Sequence, residues 1–358
     1  MRRPLKTLER RGRELLKALV ARLFPAARRC VTLPKTPRVV VVRLDERVGN
    51  LVMLTPLLRS LRARLPEARI DVLVQARGRA VLGEHPAIDA CIGFDKRRWL
   101  GSESWLGTLL RLRGEYDLAV DAGNPTAPSV TQSLWVRFCG ATHSIGSSAG
   151  GFGALYTAPV DVADAGPREI DMRLSLLRHV PGTTVVRRPD LPPPRPSPAT
   201  EHPYVIINLG ARLPEKQLGA PAYAALADAV AAHGLVAVLT WGPVERQLAE
   251  QTAALASEAL LAPPTTLTEL MQMMAAARAI ISCDTGPMHI GVALGVPTCA
   301  VFVSTDPSRY AYPAPPHGWV DARCAPREQW LAAVDTWLAA TLAPQPTARQ
   351  RSSDSPHV

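Results

Sequence analysis

The sequence predicts an α/β protein made of two doubly wound domains, each with a parallel sheet. Three observations lead there. From residue 38, short apolar β-branched runs alternate with segments of helical period, the pattern of parallel strands joined by crossover helices. Residues 181–203 hold eight prolines, including Pro192-Pro193-Pro194, which reads as a stiff, extended linker. After residue 203 the alternation starts again.

In the first half, RVVVVRL at 38–44 is a buried parallel strand. A turn at Gly49 leads into a helix over 50–65. Strands follow at 70–75, 90–94 and 116–121, and helices at 105–113, 129–139 and 170–179. The second half has strands at 204–209, 235–240, 279–283 and 298–303. Its helices fall at 221–233, 244–257, 267–276 and 287–294, with an amphipathic closing helix at 329–342. The boundaries are then a domain at 34–188, a linker at 189–202, a domain at 203–343 and a disordered polar tail at 344–358.

Residues 1–33 form a separate basic arm. The chain of 358 residues carries a formal charge of +10. Its first 30 residues hold ten Lys/Arg and two acids, a net +8, so the body is almost neutral. Leu5, Leu8, Leu15, Leu16, Leu19, Val20 and Leu23 lie mostly on one helical face. That arm is read as a helix lying on an anionic membrane surface, as a helix packed on the protein's own body, or as a frayed arm. A nucleic-acid partner is disfavoured, because the charge does not line the body and only 5% of residues are aromatic. No run is long and apolar enough to span a membrane, and charges interrupt any secretory h-region. The six cysteines make no CxxC pair and no zinc spacing, which points to a reducing compartment and to no structural metal.

The chemistry concentrates at strand ends. SCDTGPMHIGVAL over 282–294 is a strand end followed by a helix start. Asp284 or Thr285 suits the cap, and Pro287 suits the first turn. The unpaired amides there, with Gly286 allowing close approach, make a site for a diphosphate, with Met288 and His289 just inside. The competing reading is a plain capping Asp284 and a satisfied core His289. Lys216, in the loop after the strand at 204–209, is a flexible cation suited to a leaving diphosphate, or else a solvated lysine. Glu245, after Gly242, can accept both hydroxyls of a ribose, or else complements the helix dipole. In the first half, Asp45 and Glu46 stand at a strand end where an acceptor hydroxyl could be met. There is no GxGxxG, P-loop or HExxH.

These residues together resemble glycosyltransferase family 9, the bacterial heptosyltransferases of lipopolysaccharide core synthesis. The resemblance rests on RLDERVGNLVMLTPLLRSL, GEHPAIDACIGFDK, ATHSIG, the segment from Asn208 to Lys216, Trp241–Glu245 and DTGPMHIGVALGVPTCAVFVSTDP, in that order. It implies a GT-B fold of two Rossmann-like domains facing a cleft. The first domain would hold a lipid-linked acceptor and the second a nucleotide-sugar, ADP-heptose by the family's pattern. Transfer would be inverting and would need neither metal nor cofactor. Lys216 and the helix start from Thr285 to His289 would stabilise the departing diphosphate. Glu245 would bind the ribose, and Asp284 would support the loop or touch the sugar. The expected location is cytoplasmic, on the inner face of the inner membrane.

Two positions depart from the family. Its members carry an Asp general base after the first-domain Gly, and here that position is Asn50. An amide cannot take a proton at neutral pH. Three readings stay open: Asp45 or Glu46 is the base, the acceptor hydroxyl is deprotonated by another route such as an acceptor phosphate, or the chain only binds nucleotide-sugar or glycolipid. The second departure is FVSTDP where the family has FGPTDP.

Overall fold

The computed structural model describes residues 22, 26–95, 97, 98, 101 and 103–343. Nearly all of the helix expected at 5–24, and the whole tail at 344–358, lie outside the described residues. Among the described residues, no helix is long and apolar enough to cross a membrane. Two compact units divide the chain: Met1–Pro193 with Ser308–Tyr310, and Pro194–Pro307 with Ala311–Val358.

The first unit holds strands β1 (Arg38–Arg43), β2 (Arg69–Gln75), β3 (Ala90–Phe94), β4 (Leu118–Asp121), β5 (His143–Ser147) and β6 (Ala158–Val160). They pair in parallel in the order β3-β2-β1-β4-β5-β6. Its helices are α1 (Val48–Val52), α2 (Thr55–Arg64), α3 (Arg79–Leu82), α4 (Trp105–Leu112), α5 (Val130–Phe138) and α6 (Glu169–Ser175). Val39 to Val42 of β1 are almost wholly buried, as expected of a central parallel strand covered on both faces.

The second unit repeats this plan. Strands β7 (Tyr204–Asn208), β8 (Val236–Thr240), β9 (Leu260–Leu261), β10 (Ala279–Cys283), β11 (Thr298–Phe302) and β12 (Gly318–Asp321) run in the order β12-β11-β10-β7-β8-β9. Counted from β7, that is the same doubly wound order as in the first unit. The helices are α7 (Ala220–Ala232), α8 (Arg246–Leu255), α9 (Leu267–Ala276) and α10 (Gly286–Ala293); the short α11 (Pro307–Tyr310) belongs to the first unit from Ser308 on, and α12 (Arg327–Leu342) closes the second. In each unit the order reverses beside the first strand, at β1/β4 and at β7/β10, so loops leaving those strand ends diverge and leave a crevice.

Several elements differ from the sequence expectation. The helix expected over 50–65 is two helices, α1 and α2, with Pro56 in the first turn of the second, where its missing N–H costs nothing. The helix expected over 170–179 tightens to 3-10 geometry after Ser175. The strand expected from 116 begins at Leu118. Strands β5, β6, β9 and β12 were not anticipated. β5 reads HSIGS, too polar to stand out, and β6 contains Pro159, which a strand at the sheet edge tolerates.

All six cysteines are free. Cys139, Cys283 and Cys299 are buried, Cys91 is half-buried, and Cys30 and Cys324 are exposed. Burial pushes the Cys283 thiol up to about 11 and the Cys299 thiol up to about 12.

Candidate functional site

In the second unit, three strands carry polar side chains at or next to their ends. Asn208 and Thr240 close β7 and β8, and Ser282 is the last residue but one of β10. They bond across the sheet: Thr240 Oγ1 donates to Asn208 Oδ1 at 3.3 Å, and Asn208 Nδ2 donates to Ser282 Oγ at 3.4 Å. This polar seam fixes the loops that follow. The loop after β7 makes a 3-10 turn, Pro214–Lys216, and delivers Lys216 to the end of β10. There Lys216 Nζ donates to Asp284 Oδ2 at 2.6 Å and to the Asp284 carbonyl at 3.2 Å. Asp284 is buried, whereas the Lys216 side chain keeps 27% of its exposure. The ammonium is thus held in place while still reachable from solvent.

Asp284 and Thr285 were both candidates to cap α10, and neither side chain does so. The Asp284 carboxylate is committed to Lys216 instead. Thr285 occupies the N-cap in extended conformation, and its hydroxyl meets Ser282 Oγ at 3.1 Å. The first turn of α10 therefore has no side-chain cap, and first-turn amides have no acceptor within their own helix. Gly286 and Pro287 are partly exposed at that end. The Met288 side chain is buried, so only its backbone belongs to the helix end. His289 is buried too. Its Nδ1 lies 2.7 Å from Tyr312 Oη, and its Nε2 lies 3.8 Å from Asp284 Oδ1, an ion-pair distance rather than a hydrogen bond. The uncapped helix start and the ammonium, paired with Asp284, present donors suited to a diphosphate.

Glu245 stands at the N-cap of α8, yet its carboxylate does not cap that helix either. It accepts from Gly242 N and from Gln217 Nε2, both at 3.1 Å. A Cβ at 242 would sit 2.7 Å from Glu245 Oε2, so a side chain there would displace this carboxylate. Gln217 directly follows Lys216, so the 3-10 turn ties Glu245 and Asp284 into one arrangement.

In the first unit, Asp45 and Asn50 come together and Glu46 is exposed. Asn50 Nδ2 donates to Asp45 Oδ2 at 2.9 Å, and Arg43 Nη2 donates to the same oxygen. Behind them lies a buried ionic chain. Arg173 Nη1 donates to the Asn50 carbonyl at 3.0 Å, and its Nη2 donates to Glu169 Oε1 at 2.8 Å. Arg309 Nη2 donates to Glu169 Oε2 at 2.7 Å. Burial, and then repulsion from Arg173, lower the Arg43 guanidinium to about 10 against the pull of Asp45 and Glu169. Residue reading did not single out Arg43, Arg173, Glu169, Arg309 or Gln217. The one available signal was Arg43, a charge closing an otherwise apolar strand.

The model of glycosyltransferase family 9 (heptosyltransferase) matches residues 111–320, more than half of the chain. The chain is 26% identical over 280 residues to lipopolysaccharide heptosyltransferase 3 of Escherichia coli, covering 72% of this chain and 81% of that protein. A solved family 9 glycosyl transferase from Veillonella parvula superposes with a TM-score of 0.72 at 21% identity, covering 85% of this chain and 97% of that one. An E. coli heptosyltransferase solved with ADP superposes with a TM-score of 0.69 at 19% identity, covering 85% and 99%. The fold is therefore of the GT-B type.

Proposed function

This chain belongs to glycosyltransferase family 9, and from that membership we propose that it moves a heptose, or a related sugar, from an ADP-linked donor to a lipopolysaccharide core or similar glycolipid. The observation that carries the reading is the Lys216–Asp284 pair beside the uncapped start of α10. In the reaction the acceptor oxygen bonds to the sugar's anomeric carbon as the bond from that carbon to the diphosphate breaks. Charge develops on the leaving diphosphate. A fixed ammonium and a helix N-terminus oppose that charge without reorganising during the reaction. They supply what a divalent cation supplies elsewhere, so transfer is expected to persist in a chelator. Attack opposite the leaving group inverts the anomeric centre. Two lone-pair regions of the Glu245 carboxylate remain beyond its bonds to Gly242 and Gln217, enough for a ribose diol.

Calorimetric titration with ADP, UDP, GDP and CMP, with and without metal, tests this. Selective ADP binding without metal, weakened at least tenfold in Lys216→Ala and in Glu245→Ala, is the expected result. Preference for UDP or GDP would assign another sugar. Nucleotide binding without turnover of any donor would favour a binding protein of the same fold, a reading that Asn50 motivates. The basic arm is assigned to an anionic membrane surface. Removing residues 1–30 should then weaken binding to anionic vesicles and leave nucleotide binding intact, whereas unchanged vesicle binding would sink that assignment.

A further inference from the structure

We propose that Asn50 is a positioning residue whose amide holds Asp45, and that Asp45 takes the acceptor proton. This rests on the transferase reading above. The loop carrying Asp45 is clamped on both sides. Leu44 N donates to Gln132 Oε1 at 3.0 Å, and the Leu44 carbonyl accepts from Gln75 Nε2 at 2.6 Å. Gln132 is itself held by the Val42 carbonyl at 2.9 Å and by the buried Asp121. Asp45 Oδ1 accepts from Arg47 N at 3.1 Å, while Oδ2 takes Asn50 and Arg43. A carboxylate offers about four lone-pair sites, so one on Oδ1 remains for a hydroxyl proton. Glu46, on the same loop, is exposed.

The amide at position 50 has the right chemistry for this role. Its Nδ2 donates to Asp45, and its Oδ1 accepts from Arg173 Nη2 at 3.4 Å, so one orientation satisfies both neighbours. A carboxylate there could only accept. It would remove the donor to Asp45 and set a second negative charge at hydrogen-bond distance. The residue that looks like a missing base is thus the support of a base placed five positions earlier. In the step itself, the acceptor O–H proton passes to Asp45 Oδ1 as the oxygen bonds to the anomeric carbon, and the electron pair of the broken bond leaves on the diphosphate.

Among the described residues, Arg43 from β1 bonds Asp45 and Arg173 from α6 bonds Asn50, with Glu169 of α6 and Arg309 of α11 standing behind Arg173. The test is the pH dependence of kcat/KM for sugar transfer by the full chain and three variants, each checked by urea unfolding and nucleotide binding. Asp45→Asn should lose about 10²–10⁴-fold. Asn50→Ala should lose about tenfold, the scale of one hydrogen bond to a charged group, with donor KM little changed. Asn50→Asp should also lose activity at neutral pH, and its acid limb should move to higher pH, because two adjoining carboxylates share a proton. An Asn50→Asp variant at least tenfold faster than wild type, with the acid limb unmoved, would overturn the proposal and mark Asn50 as a lost base. Full activity in Asp45→Asn with an active wild type would overturn it as well, leaving the transferase reading intact. A wild type that binds nucleotide but transfers no sugar defeats the transferase reading, and this inference with it.

Discussion

Burial alone would push the Glu169 carboxyl upward, yet Arg173 and Arg309 outweigh it and hold the group below its ordinary 4.5. A carboxyl depressed in the folded state stabilises the fold above its unfolded value, and that stability is lost as pH falls through the folded value. Urea unfolding of wild type should therefore weaken below about pH 4.5, the ordinary carboxyl range. Glu169→Gln should be less stable at pH 7 by up to about 3 kcal/mol, because two guanidiniums lose their carboxylate, and should decline less steeply in acid. A parallel decline in both proteins would show that Glu169 does not govern it. The contrast between the two candidate regions is also one of residues. Lys216, Asp284 and His289 could be read from sequence because each stands at a strand end or a helix start. The Arg173–Asn50 contact joins residues 123 positions apart, and no local pattern records it. Asn50 was visible as a departure and Asp45 as a candidate base, but the hydrogen bond that joins them was not.

At the scale of elements, α10 is placed by a glycine. A Cβ at Gly291 would lie 2.6 Å from Thr298 Oγ1 and 2.7 Å from Ile280 Cδ1, side chains of β11 and β10. Gly291→Ala must push the helix off its sheet, at a cost of about 1–3 kcal/mol. The displacement moves the helix start against Lys216, so ADP binding should weaken beyond the loss of stability; unchanged affinity would separate the helix start from the nucleotide. By contrast α9 has a reciprocal capping box, Thr266 with Glu269, far from that start in sequence. Thr266→Ala should cost about 1 kcal/mol in urea unfolding and leave nucleotide affinity alone. Long apolar strands and periodic helices were legible in the sequence because burial on both faces leaves a continuous β-branched run. The missed strands lack that mark. β9 is two residues long, and β12 reads GWVD with only Val320 buried.

For the whole molecule, the repeated strand order means that each unit has its own sheet and its own core. Val205, Ile207, Val230 and Trp330 belong to one cluster, and Val40, Leu73, Trp135 and Tyr156 to the other. A nucleotide that binds only the second unit raises only that unit's unfolding transition, by about 2.7 kcal/mol at a hundredfold excess over Kd. Calorimetry with ADP should therefore shift one of two transitions, whereas a single transition that moves as a whole would show that the units unfold as one. Two domains were legible from the restarted alternation and the proline-rich segment. That Ser308–Tyr310 belongs with the first unit was not, because a three-residue excursion leaves no periodicity to read. The thiols add a practical consequence. Desolvation keeps Cys283 and Cys299 protonated and shielded, while Cys30 in the first unit and Cys324 in the second face solvent. A maleimide dye pair added to the unaltered protein should therefore attach first to Cys30 and Cys324, one in each unit, ahead of the half-buried Cys91, whose thiol burial pushes up to about 11. Energy transfer between the dyes would then follow any motion of one unit against the other as nucleotide is added, with no engineered cysteine.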